Sequence, residues 1–174
     1  MRMLQYAALL ATGALAKATD ESHKRWSYVF GAAFGALGAW VVVNYPILAP
    51  LGIGLVLGQL LAGKIDTPAH GLATAAFFFP IVAMGIASMD AVMLTVFSLA
   101  ALVDELAHER VRHWFFENRL TVEVAAFCVF AFTNVWEPLA GILCFDAGYL
   151  VLAHALKATA RRPAGTRASH HRIR

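Results

Sequence analysis

The sequence predicts an all-α fold: a polytopic integral membrane bundle of six or seven transmembrane helices. Three observations carry that expectation. Of the 174 residues, 60% are hydrophobic and 14% charged, and the mean hydropathy of +0.65 lies well above that of soluble globular domains. Apolar runs recur at close to the length, roughly 20 residues at 1.5 Å rise, that crosses a hydrocarbon layer. Those runs are apolar all round, without the period-two alternation of a membrane β-barrel strand.

The expected segments are A (3–17), B (26–43), C (46–63), D (68–88), E (91–107), F (120–135) and G (138–157). Segment A is short, and Arg2 followed by an apolar stretch and Ala14-Leu15-Ala16 has the form of a secretory signal. Charge argues against its removal. If A were cleaved, alternation would put every Lys and Arg except Arg2 on the translocated face, against the positive-inside rule. With A crossing, there are seven spans; with A lying in the interface, six. Either way the loops at 17–26, Lys64 and 110–119 and the C-terminal tail are expected to be cytoplasmic, in a multi-pass protein of the cell membrane.

Segments B and C contain Gly31-x-x-x-Gly35 and Gly54-x-x-x-Gly58, spacings that let helix backbones approach closely where no hydrophobic effect drives pairing. Segment D opens with Thr67-Pro68, an N-cap followed by proline at the first helical position. Segments F and G hold the two cysteines, Cys128 and Cys144, within apolar runs, where metal pairing and oxidation are not expected. The domain division is a helical membrane domain over 1–159 and a disordered basic cytoplasmic tail over 160–174, rich in Arg and suited to anionic lipid. Membrane lipids are the expected partners; nothing beyond the basic tail points to nucleic acid.

Leu15-Ala16 and Asp20-Glu21 at the end of A recur as Leu99-Ala100 and Asp104-Glu105 at the end of E, each followed by a His, basic residues and a Trp. A-B-C and E-F-G would then be parallel three-helix repeats joined by linker helix D. That layout resembles the three-plus-one-plus-three arrangement of sugar-exporting membrane proteins, whose Pro-Gln signature is absent here, so the family is not assigned.

Ionisable residues gather at one side of this topology. Asp20, Glu21 and His23 follow A; Asp66 and His70 lie between C and D; Asp104, Glu105, His108 and Glu109 end E. Carboxylates and imidazoles four apart on a helix share a ridge and suit a divalent cation such as Mg²⁺. The start of D, with Lys64 beside it, offers unpaired amides to an anion. The function expected from these groups is a metal-dependent membrane enzyme acting at the cytoplasmic face on a lipid phosphate or similar phosphorylated amphiphile. Its metal ligands would be Asp20, Asp66, Asp104 and Glu105, and its proton carriers His70 and His108. The bland alternative is an ordinary solvated charge network at helix ends.

A second reading starts from depth. Asp146 falls near the middle of G, where a carboxyl costs ~2.5–3.5 kcal/mol on insertion scales and needs a partner; Glu123 and His154 are the candidates. Those three residues would form the station of a cation- or proton-coupled transporter, with Asp90 and Glu137 at its outer vestibule. A third reading is a non-catalytic scaffold subunit, whose acidic groups would point apart. Familiar catalytic signatures, among them the phosphate-binding Gly-rich loop, His-Glu-x-x-His, the Gly-x-Ser-x-Gly elbow and paired Cys-x-x-Cys, are absent.

Overall fold

The computed structural model describes residues 3–160. Their regular structure is helical: α1 (Leu4–Glu21), α2 (Lys24–Asn44), a 3₁₀ turn (Pro46–Leu48) leading into α3 (Ala49–Leu61), α4 (Pro68–Met84), α5 (Ala91–Arg110), the single turn α6 (Trp114–Glu117), α7 (Thr121–Thr133) and α8 (Glu137–Ala160). The expected basic tail begins inside the last turn of α8, and 161–174 lie outside the described residues. Three stretches are long and apolar enough to cross a membrane, Arg25–Asn44, Ala91–Arg110 and Glu137–Thr159, while Pro46–Leu61, Pro68–Met84 and Thr121–Thr133 are shorter apolar helices.

Helix ends follow local chemistry. Thr67 caps α4 by accepting from the His70 amide at 3.2 Å, with Pro68 in the first turn. Asp90 does the same for α5 through the Met93 amide at 2.9 Å. Asn134, with φ of 62°, takes the left-handed conformation that closes α7, and Gly85, with φ of 75°, closes α4 in an extended positive-φ conformation open to glycine. Helix α1 continues through Asp20-Glu21, beyond the expected end of segment A at residue 17, because Lys17 pairs with Glu21 at 2.9 Å one turn later. Ser22 and His23 alone then separate α1 from α2.

Small residues govern the packing. Gly31 and Gly35 of α2 lie against Ala69 and Ala73 of α4, and Gly54 and Gly58 of α3 against Phe97 and Ala101 of α5. In both pairs the contacting numbers rise together, so the helices run parallel. Helices α1 and α8 are also parallel. Tyr6 meets Trp136 with ring centroids 5.7 Å apart, Gly13 meets the Phe145 backbone, and Asp20 meets Tyr149 near the other end. The consequence is positional: α1, α3, α5 and α8 finish at the end of the bundle where α2, α4 and α7 start. Phe97 is fully buried among Leu51, Ala101, Ala126 and Ile142, tying α3, α5, α7 and α8 together. Phe79, Val82 and Phe132 are 76%, 81% and 89% exposed, so the bundle's exterior carries large apolar side chains.

A side chain at Gly148 would overlap the Leu10 carbonyl oxygen, whereas one at Gly71 would meet nothing. Gly148→Val is therefore expected to destabilise the bundle by about 1–3 kcal/mol or more, because backbone cannot yield as a side-chain tip does. Gly71→Ala, in the helical interior of α4, should stabilise by about 0.5–1 kcal/mol. Thermal unfolding of the detergent-solubilised variants measures both signs.

Candidate functional site

Because seven helix ends meet there, one end of the bundle encloses a cavity of about 360 Å³. Its deeper wall is apolar, formed by Phe34, Val56, Phe77 and Phe145; its mouth carries Asp20, Lys64, Asp66, His70, Glu105 and Arg119. Four of the residues singled out by sequence, Asp20, Asp66, His70 and Glu105, thus line a single cavity. They come from the last turn of α1, the α3–α4 loop, the first turn of α4 and the last turns of α5.

His70 is held between two carboxylates. Its Nε2 lies 3.1 Å from Asp20 Oδ1 and its Nδ1 3.6 Å from Asp66 Oδ1, so whichever ring nitrogen carries the proton faces an acceptor. Behind Asp20, the Tyr149 hydroxyl donates to Oδ2 at 3.0 Å. The Lys17 ammonium sits 5.0 Å from the centre of the Tyr149 ring. A hydrogen-bonded line therefore runs from His70 through Asp20 to Tyr149 on α8, with the exposed Asp66 beside the other ring nitrogen. The Thr67 cap fixes its first member, since it sets the first turn of α4 on which His70 sits.

Asp104 and Glu105 have opposite fates. The residue before α7 is Leu120, which has no side-chain oxygen to cap the helix. Asp104, 3% exposed, supplies the cap from α5: Oδ1 accepts from the Thr121 amide at 3.0 Å and Oδ2 from the Val122 amide at 3.1 Å. Both its oxygens are committed, so it stands apart from the site expected of it. Glu105 lines the cavity instead, 5% exposed, with Oε1 3.2 Å from Arg119 Nη1 and Oε2 without a hydrogen-bond partner. Arg119 adopts φ of 53°, a left-handed conformation that a non-glycine residue holds at some cost.

His108 also stays outside the cavity. It is exposed and its Nδ1 lies 3.2 Å from the Phe116 carbonyl, because α5 ends at Arg110 and the chain folds back through α6 beside it. Glu109 pairs with Lys64 across the α3–α4 loop. Among the described residues no group of three or more His, Cys, Asp or Glu side chains is disposed to hold a metal ion. The expected ligands divide physically: Asp104 caps a helix, Asp20 and Asp66 both turn toward His70, and Glu105 binds Arg119.

Farther along α7 and α8, Glu123 and Asp146 lie near one another. Glu123 Oε2 and Asp146 Oδ2 are buried and have no hydrogen-bond partner among the described residues. His154 instead turns its Nδ1 to the Leu150 carbonyl at 2.8 Å, one turn back on its own helix. Sequence reasoning did not single out Tyr149 or Arg119. The available signal for Tyr149 was a polar tip one helical turn beyond Asp146; Arg119, in a loop of mixed charge, offered none. Compared with protein-family models, curated proteins and solved structures, the chain matches none.

Asp104→Ala would leave the Thr121 and Val122 amides without acceptors in a buried place. It is expected to cost about 2 kcal/mol, and to speed amide exchange in the first turn of α7. Asp104→Asn, which keeps one carbonyl acceptor, should lose less. Hydrogen exchange read by mass spectrometry, together with thermal unfolding, checks both.

Proposed function

We propose that this chain is a membrane-embedded enzyme that uses acid–base catalysis at one end of its helix bundle on an amphiphile with a phosphate-bearing head group. The observation that carries the reading is His70 held between Asp20 and Asp66 at the mouth of a cavity whose inner wall is apolar. A carboxylate-oriented imidazole is the usual proton carrier near neutral pH. Lys64 and Arg119 supply cationic donors for a phosphate, and the first turn of α4 adds helix-terminal amides. The apolar inner wall suits the start of a hydrocarbon chain. Mg²⁺ enters this proposal as a companion of the substrate phosphate, with the exposed Asp66 as a protein ligand.

The membrane arrangement that goes with this proposal has seven crossings, with α1, about 27 Å long at its 18 residues, as the first. Parallel contact of α1 with α8 and of α3 with α5 supports it, since alternate crossings must run the same way. Those two pairs exchange when α1-α2-α3 is overlaid on α5-α7-α8, the relation that two parallel repeats joined by α4 would have. Lys64, Arg110, Arg112 and Arg119 lie at the cavity end, whereas the opposite connections at Tyr45, Gly85–Asp90 and Asn134–Trp136 carry no Lys or Arg. The cavity end is therefore assigned to the cytoplasm.

A cation- or proton-coupled transporter is the second reading, favoured by the buried, unpartnered carboxyl oxygens of Glu123 on α7 and Asp146 on α8. The acids expected along the rest of its path serve elsewhere. Asp90 caps α5, and His154 bonds its own helix. A scaffold with divergent charges is disfavoured by the convergence of Asp20 and Asp66 on one imidazole.

Two measurements test these proposals. Purified protein incubated with phosphorylated lipids, with and without chelator, is expected to convert a member of the panel, and His70→Gln to lower turnover by about 10²–10⁴-fold without changing the unfolding midpoint. Unaltered turnover in His70→Gln removes the assignment, while proton-driven uptake lost in Asp146→Asn would favour the transporter. Single cysteines introduced at Met89 and Arg112 in a chain without Cys128 and Cys144 test orientation. A membrane-impermeant maleimide should label Met89→Cys on intact cells and Arg112→Cys only after permeabilisation.

A further inference from the structure

Helix α4 turns His70, Ala73, Thr74 and Phe77 toward the cavity, one face of the helix at the spacing of successive turns. From His70 to Phe77, at a rise of roughly 1.5 Å per residue, this wall descends about 10 Å from the polar mouth into the bundle. Phe77 is where the descent ends. It is 5% exposed, and its ring fills room left by two glycines: a Cβ on Gly38 of α2 would stand 3.2 Å from the ring and one on Gly52 of α3 3.8 Å. Ile53 of α3 and Ile81 of α4 belong to the same buried cluster. The ring thus bridges α4 to α2 and α3 and forms the floor.

The helix seams beside the cavity are tight. Gly35 lies against the Ala73 backbone between α2 and α4, Gly13 against the Phe145 backbone between α1 and α8, and Gly58 against Ala101 between α3 and α5. Ser27 Oγ donates to the Thr19 carbonyl at 2.8 Å and ties α1 to α2. A chain directed inward from the mouth therefore runs toward Phe77 and not sideways into the bilayer. The total space is also small. At about 360 Å³ it lies near the lower end of the range for ligand pockets, with room for one short chain and a head group but not for the paired chains of a bilayer phospholipid.

We infer that Phe77 is the end-stop of a chain slot, so that the site takes a single-chain amphiphile whose chain reaches no more than about 10 Å below its head group. The inference rests on the reading of the cavity as an amphiphile site and limits the chain that the site accepts. Such a molecule is soluble enough to arrive from water through the mouth. Its phosphate stays beside the half-exposed Arg119 guanidinium, and its chain lies against the half-buried Phe34, Val56 and Phe145. Phe77 meets only the chain end, which makes it a specificity residue. It sets how much apolar surface can leave water, because each further methylene must displace a packed ring.

The test measures binding of inorganic phosphate and of butyl, hexyl, octyl, dodecyl and hexadecyl phosphate to the full-length protein in nanodiscs, referred to free aqueous ligand with empty nanodiscs as the blank. Affinity is expected to rise about fourfold per methylene, the factor for one buried CH₂, and to stop rising between octyl and dodecyl. In Phe77→Ala the rise should continue to longer chains, with butyl phosphate bound within about threefold of wild type. Phe77→Leu, a smaller cut that spares the fold, should move the ceiling in the same direction. An unbroken rise through hexadecyl phosphate in wild type overturns the end-stop without recourse to any variant, and leaves the amphiphile site standing. A ceiling that neither Phe77 variant moves overturns the assignment to Phe77. Alkyl phosphates that bind no tighter than inorganic phosphate, or no binding at all, overturn the inference and the amphiphile site together.

Discussion

Close approach of parallel helix backbones is the constraint on which the rest of the molecule depends. Backbones come this close only where small residues line both faces, because any larger side chain would hold the helices apart. Gly13 and Gly148 between α1 and α8, Gly35 against Ala73 between α2 and α4, and Gly54 and Gly58 between α3 and α5 provide them. Each contact fixes a register as well as a distance. The registers bring the end of α1, the start of α4, the last turns of α5 and the middle of α8 to one level, and the polar cavity is the space between them.

Two adjacent residues show how non-local demands divide similar chemistry. Asp104 and Glu105 are neighbours on α5, so they project about 100° apart on the helix. One faces the start of α7, where Leu120 leaves the amides of Thr121 and Val122 uncapped; the other faces the cavity. The shorter side chain bonds both amides, and the longer one crosses to Arg119. Exchanging the two types would leave α7 with the longer, less constrained acid at its cap and the cavity with an acid too short to span the same gap.

Much of the architecture was legible from local rules. The helical class follows from runs without alternation, the start of α4 from Thr67-Pro68, and the packing role of Gly31, Gly35, Gly54 and Gly58 from their spacing. The gathering of Asp20, Asp66, His70 and Glu105 at one end was legible from charge alone, because loops on the same side of a bundle are neighbours. What sequence could not separate was Asp104 from Glu105, since the need for a cap arises from Leu120 in a different helix. The same holds for His108, whose position beside Phe116 depends on the chain reversing through α6. Tyr149 and Arg119 entered the site only through packing, the first because the α1–α8 register sets it opposite Asp20.

In a bundle of this kind most polar side chains at helix ends have structural duties, and chemistry falls to those that do not. Thr67 completes α4, Asp90 completes α5, His113 completes α6 by accepting from the Phe115 amide at 3.2 Å, and Asp104 completes α7. Setting these aside leaves a short remainder at the cavity: an imidazole bonded to Asp20 with Asp66 beside its other nitrogen, a tyrosine hydroxyl behind it, and a buried carboxylate with one oxygen unpartnered. A buried polar atom without a partner raises the free energy of the fold, and Glu105 Oε2 is one such atom in the cavity wall. Proximity alone would have assigned Asp104 and His108 to the site; the state of their hydrogen bonds assigns them to the scaffold.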